Sequence, residues 1–173
     1  MPKYYIMLVN RAQHQMIVPV KALLNPYNGQ PAFCAGMPQF FGGTDTTDRP
    51  PAQVLEEEIT QESRRTLELT SGSPPQFYTQ GNMFFYWAGE DRWVHTGTPW
   101  GPAHGNDEAE MDRLVNVNLA AFNTHMDDNA IIAQLVTQTQ STHAPAQGVA
   151  DFNASATRPA FIALIRLYLA GHL

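Results

Sequence analysis

The stretch that most constrains this chain runs from Gly42 to Arg65, G-G-T-D-T-T-D-R-P-P-A-Q-V-L-E-E-E-I-T-Q-E-S-R-R. A glycine pair and a polar loop lead to two prolines, which a helix accepts in its first turn because their missing N–H groups have no partner there anyway. The spacing predicts a helix starting near Pro50 or Pro51, capped by Asp48 or Thr47. At about 100° per residue, Ala52, Leu55, Ile59 and Thr66 share one side, the expected core face. Glu58 and Glu62 fall four apart on an adjoining face, with Gln61 close by. Like charges at that spacing cost roughly 0.2–0.5 kcal/mol per pair on an isolated helix. A divalent cation reverses the sign, since Mg²⁺ takes one or two protein carboxylates together with water and phosphate oxygens. The plain alternative is a solvated acidic face.

Around this stretch the sequence alternates short apolar runs with turns. Tyr4 to Val9 reads as a buried strand, and Met16 to Val20 as a second, in which Pro19 demands an edge or a strand end. Asn25 to Pro31 is dense in turn residues and reads as a loop. Beyond the helix, Ser71 to Pro75 is a loop, and Phe77-Tyr78 and Met83 to Ala88 are strands, the latter too continuously apolar to have a solvent face. Its aromatics are expected in the core, with stacking on a nucleobase as the alternative. Trp93 to His95 is a short strand before a Gly97–Gly105 loop that carries Trp100, a candidate stacking residue. Asp127-Asp128-Asn129 should cap a helix through Ile131, Ile132, Leu135 and Val136. Ser141 to Ala156 reads as a loop or flexible linker. A last helix from about Arg158 to Ala170 is apolar on most sides, so it belongs in the domain or at a homodimer interface.

Composition narrows the partners. The 173 residues suit one domain with a sizeable core. Charged residues make up 15% and the formal net charge is −6, which argues against a nucleic-acid backbone as partner. A single cysteine, Cys34, forms no internal disulfide and favours a reducing compartment, taken here as the cytoplasm. No apolar run approaches the roughly 20 residues of a membrane span, and Met1 to Asn10 lacks a signal-like pattern. The six histidines have no ligand spacing, and no P-loop, nucleophile elbow or dinucleotide glycine fingerprint is present.

From Gly43 onward the spacing resembles the Nudix box, G-x5-E-x7-R-E-U-x-E-E-x-G-U, where U is a bulky apolar residue. Glu58, Ile59 and Glu62 match it. Arg49 stands for the first box glutamate, Glu57 for the arginine, Gln61 for one of the paired glutamates and Arg64 for the closing glycine. Phe40-Phe41-Gly42-Gly43 is similar to the x-L-P-G-G segment that precedes the box in that family. The resemblance covers roughly Tyr4 to Phe122 and is most specific from Gly42 to Glu62. It implies an α/β class protein, a Nudix-type α/β/α sandwich with a mixed sheet and additional C-terminal helices. Residues 1–173 would form one domain, with a family-like core over 1–126 and a helical extension over 127–173 containing a flexible 141–156 loop. Arg49 and Glu57 exchange the family's charges, so an ion pair of reversed polarity is expected. Arg64 removes the residue best suited to a left-handed helix end, so the helix should run on by a turn or close differently.

The function implied by the resemblance is Mg²⁺- or Mn²⁺-dependent hydrolysis of the pyrophosphate bond in a nucleoside diphosphate linked to another moiety, such as ADP-ribose or NADH. Glu58, Gln61 and Glu62 would hold the metal, with Gln61 supplying an oxygen but no charge. Glu58, Glu62 and Glu110 are the catalytic candidates, with Glu108 and Asp112 beside Glu110 in an acidic segment before a strand and a short helix. Arg64, Arg65 and Trp100 are the candidates for substrate binding. The rival is a Nudix-fold module that has lost catalysis and binds a nucleotide or a protein. A third reading is an acidic α/β interaction domain in which the box spacing is accidental.

Overall fold

A computed structural model describes residues 1–70 and 72–173. Ser71, the first residue of the expected 71–75 loop, lies outside the described residues. The strands are β1 (Lys3–Asn10), β2 (Gln15–Lys21), β3 (Phe41–Thr44), β4 (Leu67–Leu69), β5 (Gln76–Gln80), β6 (Met83–Ala88), β7 (Trp93–His95) and β8 (Met111–Asn118). The helices are α1 (Pro51–Glu62), α2 (Asp128–Gln138), α3 (Ala146–Ala154) and α4 (Thr157–Leu169). The main sheet is mixed, in the order β5-β6-β1-β2-β8 with β3 also on β1, and β4 pairs with β7 separately.

Period-2 alternation in β1 and β2 explains the layers. Met7, Val9, Met16 and Val18 face a core shared with Ile131 and Leu135 of α2, Phe152 of α3 and Phe161 of α4. Ile6, Leu8 and Ile17 face the other way, onto Leu55 and Ile59 of α1. Both sheet faces are therefore covered, α1 on one and α2–α4 on the other, as the continuous apolar runs required.

A split in the sheet positions everything that follows. β1 and β2 pair only from Leu8↔Ile17 to Asn10↔Gln15 and then diverge. Residues 37–44 enter the gap as a wedge. Gln39 N–H donates to Pro19 O (2.8 Å) and Lys21 N–H to Met37 O (3.0 Å), while β3 pairs with β1 from Ile6↔Phe41 to Lys3↔Thr44. Pro19 lies past the last β1 partner, where its missing N–H breaks no β1–β2 bond. The expectation of an edge or strand end is not met, since Pro19 lies within β2, an interior strand, and is tolerated because its missing N–H faces the gap that the wedge fills.

Three local expectations change. Helix α1 is not capped by Asp48 or Thr47: Pro50 holds the cap position without a side-chain bond. Asp45 orders the preceding loop instead, accepting from the N–H groups of Thr47 (3.1 Å) and Arg49 (2.8 Å). The buried face of α1 is Val54, Leu55, Ile59 and Glu62, while Ala52 is half-buried and Thr66 lies past the helix end. Of the two ends expected for the helix, the second holds: it closes at Glu62, and Arg64 and Arg65 both take left-handed backbone, φ 52° and 65°. Finally, the 141–156 segment is not a linker throughout, since α3 occupies Ala146–Ala154. Its polar composition hid two anchors, buried Phe152 and Gly148, where a Cβ would meet Ala35 O at 2.2 Å.

Candidate functional site

At the mouth of the split lies a cleft of about 550 Å³. Tyr5, Gly42, Gly43, Glu62 and Glu110 line it, and the α3–α4 junction, Ala154 to Thr157, forms another wall. Glu62 is 1% exposed although it sits on an acidic helix. Its Oε1 accepts a hydrogen bond from Gly42 N–H at 2.7 Å, which fixes the carboxylate against β3. Glu58, one turn earlier, packs on Gly43, where a Cβ would stand 2.7 Å from Glu58 Oε1. The glycine pair thus lets two carboxylates approach the wedge backbone.

Charge is concentrated here with little to balance it. Burial pushes Glu58 up to about 7, with further upward pressure from Glu110 and Glu57. Burial, and then the charge of Glu58, raises Glu62 well above the usual carboxylate range. Glu110 is raised by burial. Tyr5 is pushed up to about 12 by burial and by Glu62 and Glu58. Among the described residues no ion pair reaches Glu58, Glu62 or Glu110. Nor do any three His, Cys, Asp or Glu side chains there form a ready-made metal cage. An open, oxygen-only donor set of this kind matches Mg²⁺ or Mn²⁺, which keep water and take few protein ligands.

The other candidates lie elsewhere. Gln61 Nε2 donates to Glu57 Oε1 (3.3 Å) on the outer face of α1, and a turn of about 100° separates it from buried Glu62. Arg64 donates to Gly101 O (2.8 Å), Met111 O (2.9 Å) and Glu108 O (3.1 Å), and its guanidinium stacks 4.2 Å over Trp100. This pair clamps the 101–111 segment; Trp100 borders a separate hollow with His95 and Arg113. Arg65 faces Glu108 at 3.5 Å. Asp112 pairs with Arg113, so of the three acidic candidates before and at the start of β8 only Glu110 lines the cleft. Arg49 and Glu57 are in contact as an ion pair, with Asp45 3.5 Å from Arg49.

Sequence reasoning missed Lys3, Tyr5, Lys21 and the Ala154–Thr157 wall. Only the rarity of lysine, two in the chain, offered a signal.

No family model matches the sequence, and no curated protein matches it. Solved structures do. The E. coli ORF135 protein is 16% identical over 97% of this chain and 91% of its own, with a TM-score of 0.47. A MutT NUDIX hydrolase from Burkholderia pseudomallei is 14% identical over 80% of this chain and 98% of its own, with a TM-score of 0.41. An ADP compounds hydrolase superposes over 100% of this chain and 77% of its own, at 10% identity and a TM-score of 0.50. The fold is Nudix-type. Such low identity fixes the Nudix-type fold alone, and chemistry rests on the cleft's own side chains. In this fold α1 carries Glu58 and Glu62, and Glu110, just before β8, lines the cleft together with Glu62.

Proposed function

We propose that this chain is a divalent-metal-dependent hydrolase that cleaves the pyrophosphate bond of a nucleoside diphosphate linked to a second moiety, ADP-ribose or a similar compound. The observation that carries the reading is a cleft lined by Glu62 and Glu110, with Glu58 packed on Gly43 of its wall, and none of the three in a salt bridge among the described residues. The superposable protein described as an ADP compounds hydrolase supports the choice of an ADP derivative.

Glu58 and Glu62 would hold Mg²⁺ or Mn²⁺, which when bound would neutralise charge on the diphosphate and acidify a water. Gly42 N–H holds the Glu62 carboxylate in one orientation. Glu110 takes the proton from the attacking water; its raised pKa makes it a better acceptor than an ordinary carboxylate. Ala154 to Thr157 limit water on the far side. Gln61 has no part in this scheme, because its amide bonds outward to Glu57.

The test is release of nucleoside monophosphate from ADP-ribose, NADH, dinucleoside polyphosphates and nucleoside triphosphates with Mg²⁺ or Mn²⁺. Wild type should turn over at least one of them, and Glu62→Gln, which removes a carboxylate that would hold the metal, should lose most of that turnover. The outward placement of Gln61 leaves the helix one carboxylate short of the family pattern and favours a non-catalytic nucleotide-binding module as the second reading. That reading takes over if the panel gives no turnover while one nucleotide stabilises the protein without metal.

A further inference from the structure

The ten basic side chains divide sharply. Arg11, Arg49, Arg65, Arg113 and Arg166 each face a carboxylate. Arg64, Arg92 and Arg158 donate to carbonyl or amide oxygens. The two lysines of the chain, Lys3 and Lys21, have no side-chain hydrogen bond or ion pair among the described residues, and both line the cleft. Among the described residues they are its only cations.

Their placement follows from the split sheet. Lys21 ends β2, where its N–H bonds Met37 O at the open end of the wedge. Lys3 begins β1 and pairs with Thr44 at the open end of the wedge's other limb. The two cations therefore flank the wedge at the cleft mouth. Lys21 lies close enough to the acidic group to draw down the pKa of Glu58, Glu62 and Glu110, yet it stands within 4.0 Å of no carboxylate oxygen. A half-buried lysine whose ammonium has no partner among the described residues, in a protein of net charge −6, is a place for a ligand anion. Gln39 adds an amide donor, its Nε2 buried without a hydrogen-bond acceptor on the same cleft wall.

We propose that Lys21 and Lys3 are the phosphate anchors of the cleft, Lys21 holding the diphosphate beside the carboxylates and Lys3 taking anionic charge on the other side of the wedge. The proposal rests on the reading of the cleft as a diphosphate site. It adds the positioning groups that the box does not supply, since Arg64 and Arg65 are engaged elsewhere. Lysine suits the task, being a compact charge on a flexible stem that can follow a phosphate.

The experiment measures binding of inorganic pyrophosphate with Mg²⁺ by calorimetry, beside turnover of ADP-ribose, for wild type, Lys21→Met, Lys21→Arg and Lys3→Met. Melting temperatures check that each variant is folded. The expected result is at least a tenfold loss of pyrophosphate affinity in Lys21→Met, recovery to within about threefold in Lys21→Arg, and a smaller loss in Lys3→Met that falls on KM more than on kcat. Wild type that binds pyrophosphate through the lysines but turns nothing over would keep the anchors and remove the hydrolase. Turnover in wild type with unchanged KM and pyrophosphate affinity in both methionine variants would keep the hydrolase and overturn the anchors. Failure of wild type to bind pyrophosphate at all would also overturn them.

Discussion

Gly42 donates its backbone N–H to the Glu62 carboxylate at 2.7 Å, so the glycine before the helix and the last residue of the helix are one structural unit. The two glycines of that wedge do different jobs. A Cβ at Gly42 would lie 2.1 Å from the backbone oxygen of Tyr4, which cannot move without breaking the β1–β3 ladder. A Cβ at Gly43 would meet only the end of the Glu58 side chain, at 2.7 Å. Gly42→Ala should therefore lose about 2 kcal/mol or more of stability, the scale of an overpacked core. Gly43→Ala should remain folded and lose activity by displacing Glu58. Urea denaturation beside a turnover assay separates the two, and equal stability losses would refute the distinction.

The acidic group makes metal-free stability depend on pH. Glu58 titrates near 7 in the fold, and Glu62 and Glu110 are also raised, against roughly 4.3 for an unfolded glutamate. The folded state then binds more protons than the unfolded chain between these values. The stability these three groups contribute is full below about 4.3 and is lost as pH rises through their raised pKa values. Without metal, the melting temperature should be higher at pH 5 than at pH 7.5. Glu62→Gln, which keeps an acceptor for Gly42 N–H, should melt higher than wild type at pH 7.5 while losing activity. Added Mg²⁺ should raise the wild-type melting temperature at pH 7.5 and leave that variant nearly unchanged. A flat profile in wild type would show that the carboxylates are better solvated than their burial implies.

Arg64 occupies left-handed backbone where glycine would be free of strain. It persists because three carbonyls and Trp100 converge on its guanidinium. Arg64→Gly relieves roughly 1 kcal/mol of backbone strain but removes part-buried charge-assisted bonds worth about 1.5–3 kcal/mol each. With three such bonds lost, the net expectation is a loss of about 3 kcal/mol or more. Because Glu110 adjoins the clamped segment, kcat should fall as well, and limited proteolysis should newly cut between Gly101 and Glu110. A variant as stable as wild type would mean that the clamp is redundant.

The C-terminal layer is core, not appendage. Phe161 of α4 is fully buried, with its ring centroid 4.5 Å from that of Phe40 on the wedge. Phe161→Ala should cost about 3–5 kcal/mol, the usual scale for an emptied aromatic site. Loss of the wedge's support should also weaken the cleft. Thermal unfolding and pyrophosphate binding on the same preparation would show whether the two effects travel together.

What the sequence makes legible follows the range of the interactions. Strands β1, β2 and β6 and helices α2 and α4 carry their own local signal in apolar runs or helical spacing, and Asp127 caps α2 by accepting a local bond from Ala130 N–H. The closeness of Glu58 to Glu62 is readable from their spacing. Burial of Glu62, by contrast, depends on a wedge twenty residues earlier in the chain closing over it. Lys3 and Lys21 flank one cleft only because β1 and β2 diverge after Ile17, a tertiary event with no local signature. Helix α3 carries little signal because one phenylalanine and a close-packed glycine anchor it, too few positions to show a period. Adjacency in sequence groups Gln61 with Glu62, yet a single residue turns it to the outer face.

The reversed pair of Arg49 and Glu57 gives the last test. Arg49, in the loop before α1, touches Glu57 in the second turn of the helix, and its guanidinium also sits 3.5 Å from Asp45. Hydrogen bonding to Glu57 raises the Arg49 pKa, so the contact favours the charged form. Arg49→Glu alone places a new carboxylate against both Glu57 and Asp45, and Glu57→Arg alone opposes two cations. Each single change should lower the melting temperature. The double exchange restores attraction across the pair but leaves the new carboxylate at position 49 facing Asp45, so it should recover only part of the loss. Adding Asp45→Asn to the double exchange removes that repulsion while the side chain keeps an oxygen for the N–H groups at positions 47 and 49. Recovery in the double variant no better than in the singles would show that the contact carries no coupling.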